Sequence, residues 1–349
     1  MKRYRPVAVS LLSKNLDKFV FNKGVLYETG IPLPRPGMQF ITPFRYISLK
    51  LSAELFKREK ISLLHAHFGT WGAYSMPLKN ILRLPMAVTF YGQDVSLLPK
   101  RAIWRSRYEK LFKKCDLFFA EGPFMKKALV ALGAPAEKIV IQRIGIPLEK
   151  IRVRQHKGIS GLPKALWVGR MIEKKGVLDA LKAVEILRDN GTLMELRIVG
   201  DGPERAAAES YVVSRNLKNI SFLGFLNYND YLKEFEDADF FLAPSKTSKE
   251  GETEGGAPTT ILEAQARGLP VVSTIHADIP FILPPEYPYL AQENNCKDLA
   301  SKIIDLLKDV KEWPRISREG RKFVEDFHDI RLTVDLLERC YDTLLTKKH

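Results

Sequence analysis

The chain has 349 residues, 45% of them hydrophobic, and a formal net charge of +14. That hydrophobic content is enough to bury a core in each of two domains, which excludes a disordered polycation. The sequence shows no apolar run of membrane-spanning length and no signal-peptide pattern, so we expect a cytoplasmic protein. Cys115, Cys296 and Cys340 are too widely spaced for a disulfide framework or a zinc cluster.

The positive charge lies in the first half of the sequence. Residues 1–150 carry 26 basic and 10 acidic side chains, whereas residues 151–349 carry 29 and 31. Such an asymmetry suggests an anionic partner, either nucleic acid or membrane, and a solvated basic surface is the alternative. Nucleic acid is disfavoured because the sequence contains no recognised nucleic-acid-reading motif.

Short β-branched or aromatic runs alternate with helical patterns along the chain. The predicted strands are residues 7–12, 61–65, 86–90, 117–120, 139–142, 164–168, 195–199, 220–223, 240–243 and 270–273. The clearest helical periodicity is found at residues 44–60, 100–114, 124–132 and 329–345. This alternation predicts parallel sheets covered by helices. A polar connector, residues 155–163, divides two doubly wound α/β domains, 1–154 and 155–328.

The densest basic segment is residues 100–114, which predicts a helix with one apolar and one basic face. Such a helix can lie on anionic headgroups, or it can pack Trp104 and Leu111 into its own domain and leave its lysines in water. The sequence leaves both interpretations open. The candidates for membrane contact are Arg101, Trp104, Arg105 and Lys113.

Parallel sheets bind ligands beyond the carboxyl ends of their strands, so the loops there are the candidate sites. Strand 164–168 is followed by Gly169, Arg170 and Lys175, and two cations suit a diphosphate whose charge grows as it leaves. An ordinary basic loop is the alternative. The turn Gly-Asp-Gly-Pro at 200–203 either lets backbone approach a ligand or simply joins strand to helix.

A glycine-rich loop, residues 250–258, runs into a helix whose free N–H groups and dipole favour phosphate. Glu254 can meet sugar hydroxyls, and Glu263 can accept from a ribose diol. The alternatives are a solvated acidic loop for Glu254 and a capping box between Thr260 and Glu263.

His65 and His67 share one strand face near the end of a first-half strand, so a metal is conceivable. No acidic residue lies nearby in sequence. We therefore favour a histidine that faces the cleft over a metal site.

In this order, the segments resemble the retaining nucleotide-sugar glycosyltransferases of the GT-B type, family 4, also called group 1. The most specific part is residues 240–273, and residues 168–176, 200–203 and 222–224 agree independently. The resemblance implies two Rossmann-like domains that face each other across a cleft. It also implies that the last helix, within residues 329–349, crosses back to complete the N-terminal domain.

The resemblance implies a role for each matching residue. Arg170 and Lys175 would bind the donor diphosphate and stabilise the leaving group, and Glu254 would contact the transferred sugar. Glu263 would bind the ribose. The remaining donor-binding residues would be Gly169, Gly255, Gly256, Ala257, Pro258, Thr259 and Thr260. The acceptor-side residues would be His67, Gly69, Tyr91 and Asp94.

No metal or cofactor is expected, because members of this family usually need no metal. The Asp-x-Asp sequence at Asp237 and Asp239 is then an accidental match at a helix-to-strand junction.

Three departures accompany the resemblance. Eight residues separate Glu254 from Glu263, where the family usually has seven. Tyr91 stands where many relatives carry a histidine beside the reaction centre, and His67 is a hypothetical substitute. The chain begins near what resembles the family's second strand, so the usual first strand, its glycine-rich acceptor loop and the first helix are expected to be missing.

The resemblance implies a retaining hexosyltransferase of class EC 2.4. It would move a sugar from a UDP- or GDP-sugar to a saccharide or lipid-linked acceptor in cell-envelope, lipopolysaccharide or exopolysaccharide synthesis. A further expectation is peripheral contact with the inner face of the plasma membrane. The alternative is a noncatalytic GT-B-like protein that binds nucleotide sugars but lacks a complete acceptor site.

Overall fold

The computed structural model describes residues 3–10, 25–28, 42–154 and 158–346. The predicted strand 7–12, the connector 155–163 and the C-terminal segment 329–349 each extend partly outside the described residues.

Within these ranges the chain forms parallel strands and α-helices in alternation. The strands are β1 (Val7–Ser10), β2 (Val25–Glu28), β3 (Leu64–His67), β4 (Met86–Thr89), β5 (Leu117–Ala120), β6 (Ile139–Ile141), β7 (Lys164–Val168), β8 (Glu195–Val199), β9 (Ile220–Gly224), β10 (Phe240–Ala243), β11 (Val271–Thr274) and β12 (Leu290–Ala291). The α-helices are α1 (Thr42–Arg58), α2 (Gly69–Leu82), α3 (Gly92–Ser96), α4 (Ala102–Lys114), α5 (Pro123–Ala131), α6 (Val177–Asp189), α7 (Arg205–Ser214), α8 (Tyr228–Asp237), α9 (Thr259–Ala266), α10 (Cys296–Lys308), α11 (Trp313–His328) and α12 (Ile330–Thr346).

The strands form two larger parallel sheets and one pair. Strands β3 to β6 form a four-stranded sheet in chain order, and β1 pairs with β2. The second sheet has six strands in the order β12-β11-β10-β7-β8-β9. This arrangement confirms the predicted α/β class with two Rossmann-like sheets.

Both faces of the six-stranded sheet are buried, which explains its continuous apolar strands. Neighbouring residues of one strand point to opposite faces. Trp167 and Phe240 belong to the core on one face, whereas Leu166 and Phe241 belong to the core on the other.

Most predicted strands are close to the observed ones, and four of them coincide with β5, β7, β8 and β10. The strand predicted at 61–65 was placed too early. The chain turns at Lys60, where φ is +52, and pairs with β4 only from Leu64 onward. Both His65 and His67 therefore lie inside β3. The prediction missed β2 and β12, which have only four and two residues.

The last two helices connect the halves of the chain. Helix α11 packs on α9 of the second half, where a Cβ on Gly320 would contact Gln265. Helix α12 returns to the first sheet, and its Tyr341 and Leu344 pack on Ala87 and Phe119. The predicted crossover of the last helix is confirmed, while the boundary at residue 154 stays a prediction. Among the described residues, no helix has the length and apolar character needed to span a bilayer.

Candidate active site

The loops after β7, β8 and β10 pack directly on one another. Gly200 follows β8 with φ +121, and a Cβ there would overlap the carbonyl oxygen of Gly169. Gly176 has φ +67, and a Cβ there would likewise overlap the carbonyl oxygen of Pro244. The glycine at 200 is thus explained by packing between loops, which supports the strand-to-helix alternative for residues 200–203.

Glu254 in the glycine-rich loop has only 8% of its side chain exposed. Lys175 Nζ lies 2.7 Å from Glu254 Oε1, and Ser245 Oγ donates a hydrogen bond of 2.8 Å to the same oxygen. Burial acts to raise the pKa of Glu254, but the nearby lysines and Ser245 outweigh it and hold this pKa below its usual value. Glu254 is therefore a carboxylate at neutral pH.

A second lysine, Lys174, also contacts the glycine-rich loop. Its Nζ lies 2.7 Å from Glu252 Oε1 and donates a hydrogen bond of 3.2 Å to the carbonyl of Thr253. The sequence reasoning overlooked Lys174, although the Lys-Lys pair was visible at 174–175. Arg170, by contrast, is exposed at the end of β7 and free to reach a ligand outside the loop.

His276, which follows β11, holds the backbone of Glu254 in place. Its Nε2 accepts a hydrogen bond of 3.1 Å from the Glu254 N–H, and its Nδ1 lies 2.7 Å from Glu293 Oε2. Only the neutral tautomer that carries the proton on Nδ1 can form both bonds. Burial lowers the pKa of His276, which favours this neutral form. No sequence motif pointed to His276.

The helix that follows the loop begins without a side-chain cap among the described residues. Pro258 is the N-cap of α9, and the first turn of this helix starts at Thr259. Residues 255–258, which precede that turn, are buried. The capping-box alternative for Thr260 and Glu263 is wrong, because the helix begins at Thr259 and Thr260 therefore lies inside the first turn instead of at the N-cap. Glu263 Oε2 instead accepts a hydrogen bond of 2.9 Å from the Tyr231 hydroxyl.

The first half supplies the opposite wall at the ends of β4 and β5. A Cβ on Gly92 would overlap the Glu254 carbonyl, and a Cβ on Gly256 would overlap the Glu121 carboxyl group. Asp278 connects the halves beside this contact, because its carboxylate accepts from the N–H groups of Phe124 and Met125 at 2.8 and 3.2 Å.

Glu121 is a buried acid that the sequence reasoning missed. Burial, reinforced by the charges of Asp278 and Glu254, raises the pKa of Glu121 to about 8. Its position immediately after β5 is the signal in the sequence, because the residues that follow parallel strands are candidate site residues. The Glu121 carboxyl group therefore carries a proton at neutral pH and adds no negative charge beside Glu254.

The four predicted acceptor-side residues differ in what they expose. The exposed His67 forms a hydrogen bond of 2.7 Å between its Nδ1 and the Tyr91 hydroxyl. Asp94 is buried and accepts hydrogen bonds from Tyr108 Oη and from the Tyr91 N–H, both at 3.0 Å. Gly69 is also buried, where a Cβ would contact Phe90 and Tyr108. His67 and Tyr91 can therefore reach a ligand, whereas Asp94 and Gly69 hold the wall behind them.

The alternatives that involve a metal gain no support from these contacts. Both ring nitrogens of His65 are hydrogen-bonded, to Tyr341 and to Thr89. Asp239 is buried at the junction of α8 and β10 and accepts from the Lys164 N–H at 2.9 Å. In the described parts of the chain, no cluster of three or more His, Cys, Asp or Glu residues is arranged to hold a metal.

Helix α4 packs its apolar face into the first-half core. Trp104 and Leu111 are buried there, and the Arg107 guanidinium lies 4.7 Å from the Trp104 ring. Trp104 was wrongly included among the membrane candidates, because a ring buried under its own helix cannot enter a headgroup layer. The other candidates, Arg101, Arg105 and Lys113, are exposed.

Two family models match the chain. The one described as Glycosyltransferase Family 4 matches residues 5–150. The one described as Glycosyl transferases group 1 matches residues 162–309.

Curated relatives are similar over most of the chain. WcaL of Salmonella typhimurium, named for colanic acid biosynthesis, is 31% identical over 275 residues, which is 75% of this chain and 66% of WcaL. AmsK of Erwinia amylovora, named as an amylovoran biosynthesis glycosyltransferase, is 32% identical over 244 residues, covering 69% of this chain and 60% of AmsK. The chain thus spans about two thirds of the length of these relatives.

Solved structures share the fold at low identity. A glycosyltransferase from Rickettsia africae superposes with a TM-score of 0.80 and 18% identity, covering 98% of this chain and 90% of that protein. Anabaena HepE in complex with UDP-glucose gives a TM-score of 0.72 with 15% identity, covering 91% and 86%. These matches confirm the expected GT-B fold.

Proposed function

This chain belongs to the family 4 glycosyltransferases of group 1, and we propose that it transfers a sugar from a nucleotide-sugar donor to a saccharide or lipid-linked acceptor. The pathway we propose is the synthesis of an envelope or extracellular polysaccharide. The names of WcaL and AmsK, which refer to colanic acid and amylovoran biosynthesis, support this assignment. HepE, which was crystallised with UDP-glucose, supports a UDP-sugar as the donor.

The observation that carries the proposal is the ion pair of the nearly enclosed Glu254 with the partly exposed Lys175, in the loop that leads into α9. A diphosphate at this edge would meet Lys175 and Arg170 from the β7 loop and the N–H groups of Thr259 and Thr260. These groups offset the negative charge that grows on the diphosphate as its bond to the sugar breaks.

We assign a retaining reaction to this arrangement, in which the acceptor attacks from the face that the diphosphate leaves. The bond from the sugar C1 to the acceptor oxygen forms as the bond from C1 to the phosphate oxygen breaks. That phosphate oxygen takes the proton of the acceptor hydroxyl. Glu254 would bind hydroxyls of the transferred sugar, and Glu263 would accept from the ribose. The proposal needs no metal, because Lys175, Arg170 and the helix N-terminus supply the positive charge.

A donor screen followed by a turnover assay tests the proposal. A nucleotide sugar that binds only the folded chain raises its melting temperature, so thermal shifts with UDP-, GDP- and ADP-sugars identify the donor. Release of nucleoside diphosphate, by transfer or by hydrolysis, then measures turnover. We expect Glu254→Gln and Lys175→Met to lower turnover by about 100-fold or more, and the exposed control Lys322→Met to leave it unchanged. Donor binding without any turnover would instead favour the noncatalytic alternative.

A second part of the proposal concerns the exposed basic face of α4. We assign Arg101, Arg105 and Lys113 to contact with anionic lipid at the cytoplasmic face of the plasma membrane, where lipid-linked acceptors reside. Reversing these three charges to glutamate is expected to abolish cosedimentation with phosphatidylglycerol vesicles. The matched control reverses three exposed lysines of the second half, Lys297, Lys308 and Lys311. Equal binding by the two variants would remove the membrane contact from the proposal.

A further inference from the structure

Two aromatic side chains at the start of α2 lie in solvent. Phe68 is 45% exposed and Trp71 is 36% exposed, although large aromatic side chains are usually well buried. They lie on either side of Gly69 in the sequence. The backbone at Gly69 packs against the core, whereas the two rings remain exposed. The two rings and the exposed His67 define what we call the aromatic shelf.

The backbone of Phe68 is held in a conformation that bulky residues rarely adopt, with φ +72. Its N–H donates to the Thr89 carbonyl at 2.8 Å, and its own carbonyl accepts from the Gly72 N–H at 3.1 Å. Both sides of the residue are therefore tied to the fold. Such strain persists where the surroundings enforce it, and it is common at binding sites. The two backbone hydrogen bonds of Phe68 therefore fix its ring in an exposed position.

The aromatic shelf borders the loop of Glu254. The Phe68 ring packs on the Tyr91 ring, with centroids 4.5 Å apart, and the Tyr91 hydroxyl bonds to His67. The next residue, Gly92, touches the Glu254 backbone closely enough to exclude a Cβ. A molecule on the shelf would therefore lie beside the loop that carries Glu254, the residue that we assign to the transferred sugar.

We infer that Phe68 and Trp71 form a stacking subsite for a pyranose ring of the acceptor, with His67 and Tyr91 bonding to its hydroxyls. A pyranose has an apolar C–H face and polar groups around its edge, which matches aromatic faces bordered by an imidazole and a phenol. A lipid tail would need neither of those polar groups. The inference rests on the proposed function and specifies which part of the acceptor is recognised.

Tryptophan fluorescence isolates the shelf, because Trp71 is exposed whereas Trp104, Trp167 and Trp313 are buried. Acrylamide quenching therefore reports on Trp71. We expect oligosaccharides of glucose, galactose or mannose to protect Trp71 from quenching at millimolar concentration, and Trp71→Phe to remove the signal. Protection by phosphatidylglycerol vesicles but by no saccharide would overturn the inference in favour of lipid, and protection by neither would also overturn it.

Kinetics provide the second arm, with Phe68→Leu compared with Phe327→Leu. Phe327 is a matched control because it is 47% exposed on α11, outside the aromatic shelf. We expect Phe68→Leu to raise the KM for a saccharide acceptor about tenfold while donor hydrolysis stays at the wild-type rate. Equal acceptor KM values for the two variants would contradict the stacking role. A wild type that does not hydrolyse its donor would instead contradict the proposed function, so the two failures are distinguishable.

Discussion

The ion pair of Lys175 and Glu254 predicts a pH-dependent loss of stability in the variant Lys175→Met. The pair is largely enclosed, with 8% of the Glu254 side chain and 21% of the Lys175 side chain exposed, and its charged atoms lie 2.7 Å apart. Methionine keeps the length and the apolar contacts of lysine but leaves the carboxylate without its nearest cation. Removal of one partner from a buried pair typically costs about 3–5 kcal/mol.

Protonation of Glu254 limits this penalty. The reference pKa of the group is 4.5, and each pH unit above that value adds about 1.36 kcal/mol to the cost of binding a proton. The cost of the substitution can therefore fall by up to about 2.7 kcal/mol between pH 7 and pH 5, because Glu254 in the variant takes up a proton more easily at the lower pH. In the wild type the pKa of Glu254 is lowered, so the stability from the pair is present above pH 4.5 and is lost as the pH falls below it.

Thermal unfolding at pH 7 and pH 5 measures the effect. The fall in melting temperature caused by Lys175→Met should be larger at pH 7 than at pH 5, by up to roughly 5–11 °C for a domain of this size. The matched control is Lys322→Met, which removes an exposed pair with Asp326 at 2.6 Å and should cost at most about 1 kcal/mol at either pH. The double variant Lys175→Met with Glu254→Gln should recover stability at pH 7, because glutamine needs no cation. A Lys175→Met effect that is no larger than the control, or equal at both pH values, would refute the reasoning.

Two further predictions concern the buried groups beside Glu254. Burial raises the pKa of Glu121 to about 8, so the stability of its neutral form is present below pH 4.5 and lost as the pH rises through about 8. Glu121→Gln should therefore match the wild-type melting temperature near pH 4.5 and exceed it increasingly up to about pH 8, above which the difference levels off. Parallel curves would count against a buried proton. Burial lowers the pKa of His276, so its contribution is present above pH 6.5 and lost below it. His276→Phe should remove the loss of stability below pH 6.5. It should also lower donor hydrolysis about tenfold while donor binding stays unchanged. An unaltered rate would show that Glu254 does not need the hydrogen bond from its N–H to His276.

The sheets were predictable because burial on both faces leaves a simple pattern. Strands such as β7 and β10 are continuous apolar runs bounded by polar turns, so their ends were correct to the residue. The strand ends in turn located Lys175 and Glu254, because parallel strands deliver their following loops to one edge of the sheet. Short edge strands such as β12 bury too few residues to leave any pattern.

His276 and Glu121 were missed because their roles exist only in three dimensions. His276 bonds to the backbone of a residue 22 positions earlier, and nothing in the residues around it indicates that partner. Glu121 follows a strand of the four-stranded sheet, whereas Gly256 lies in a loop that follows a strand of the six-stranded sheet, so their contact forms only in the folded chain. Trp104 illustrates a different limit, since amphipathic spacing shows that a helix has an apolar face but not whether that face meets the core or a membrane.

The distribution of charge around the cleft argues that the basic surplus of the first half serves another surface. The acid that this half brings close to Glu254 is Glu121, whose raised pKa keeps it protonated at neutral pH. The cations at the cleft, Lys174 and Lys175, come from the second half, which carries no positive excess. A donor diphosphate can therefore be bound by local cations of the second half, whereas Arg101, Arg105 and Lys113 of the first half are exposed on and beside α4. The vesicle experiment and the donor screen consequently test independent surfaces, and loss of membrane binding on charge reversal should leave the melting shift caused by the donor unchanged.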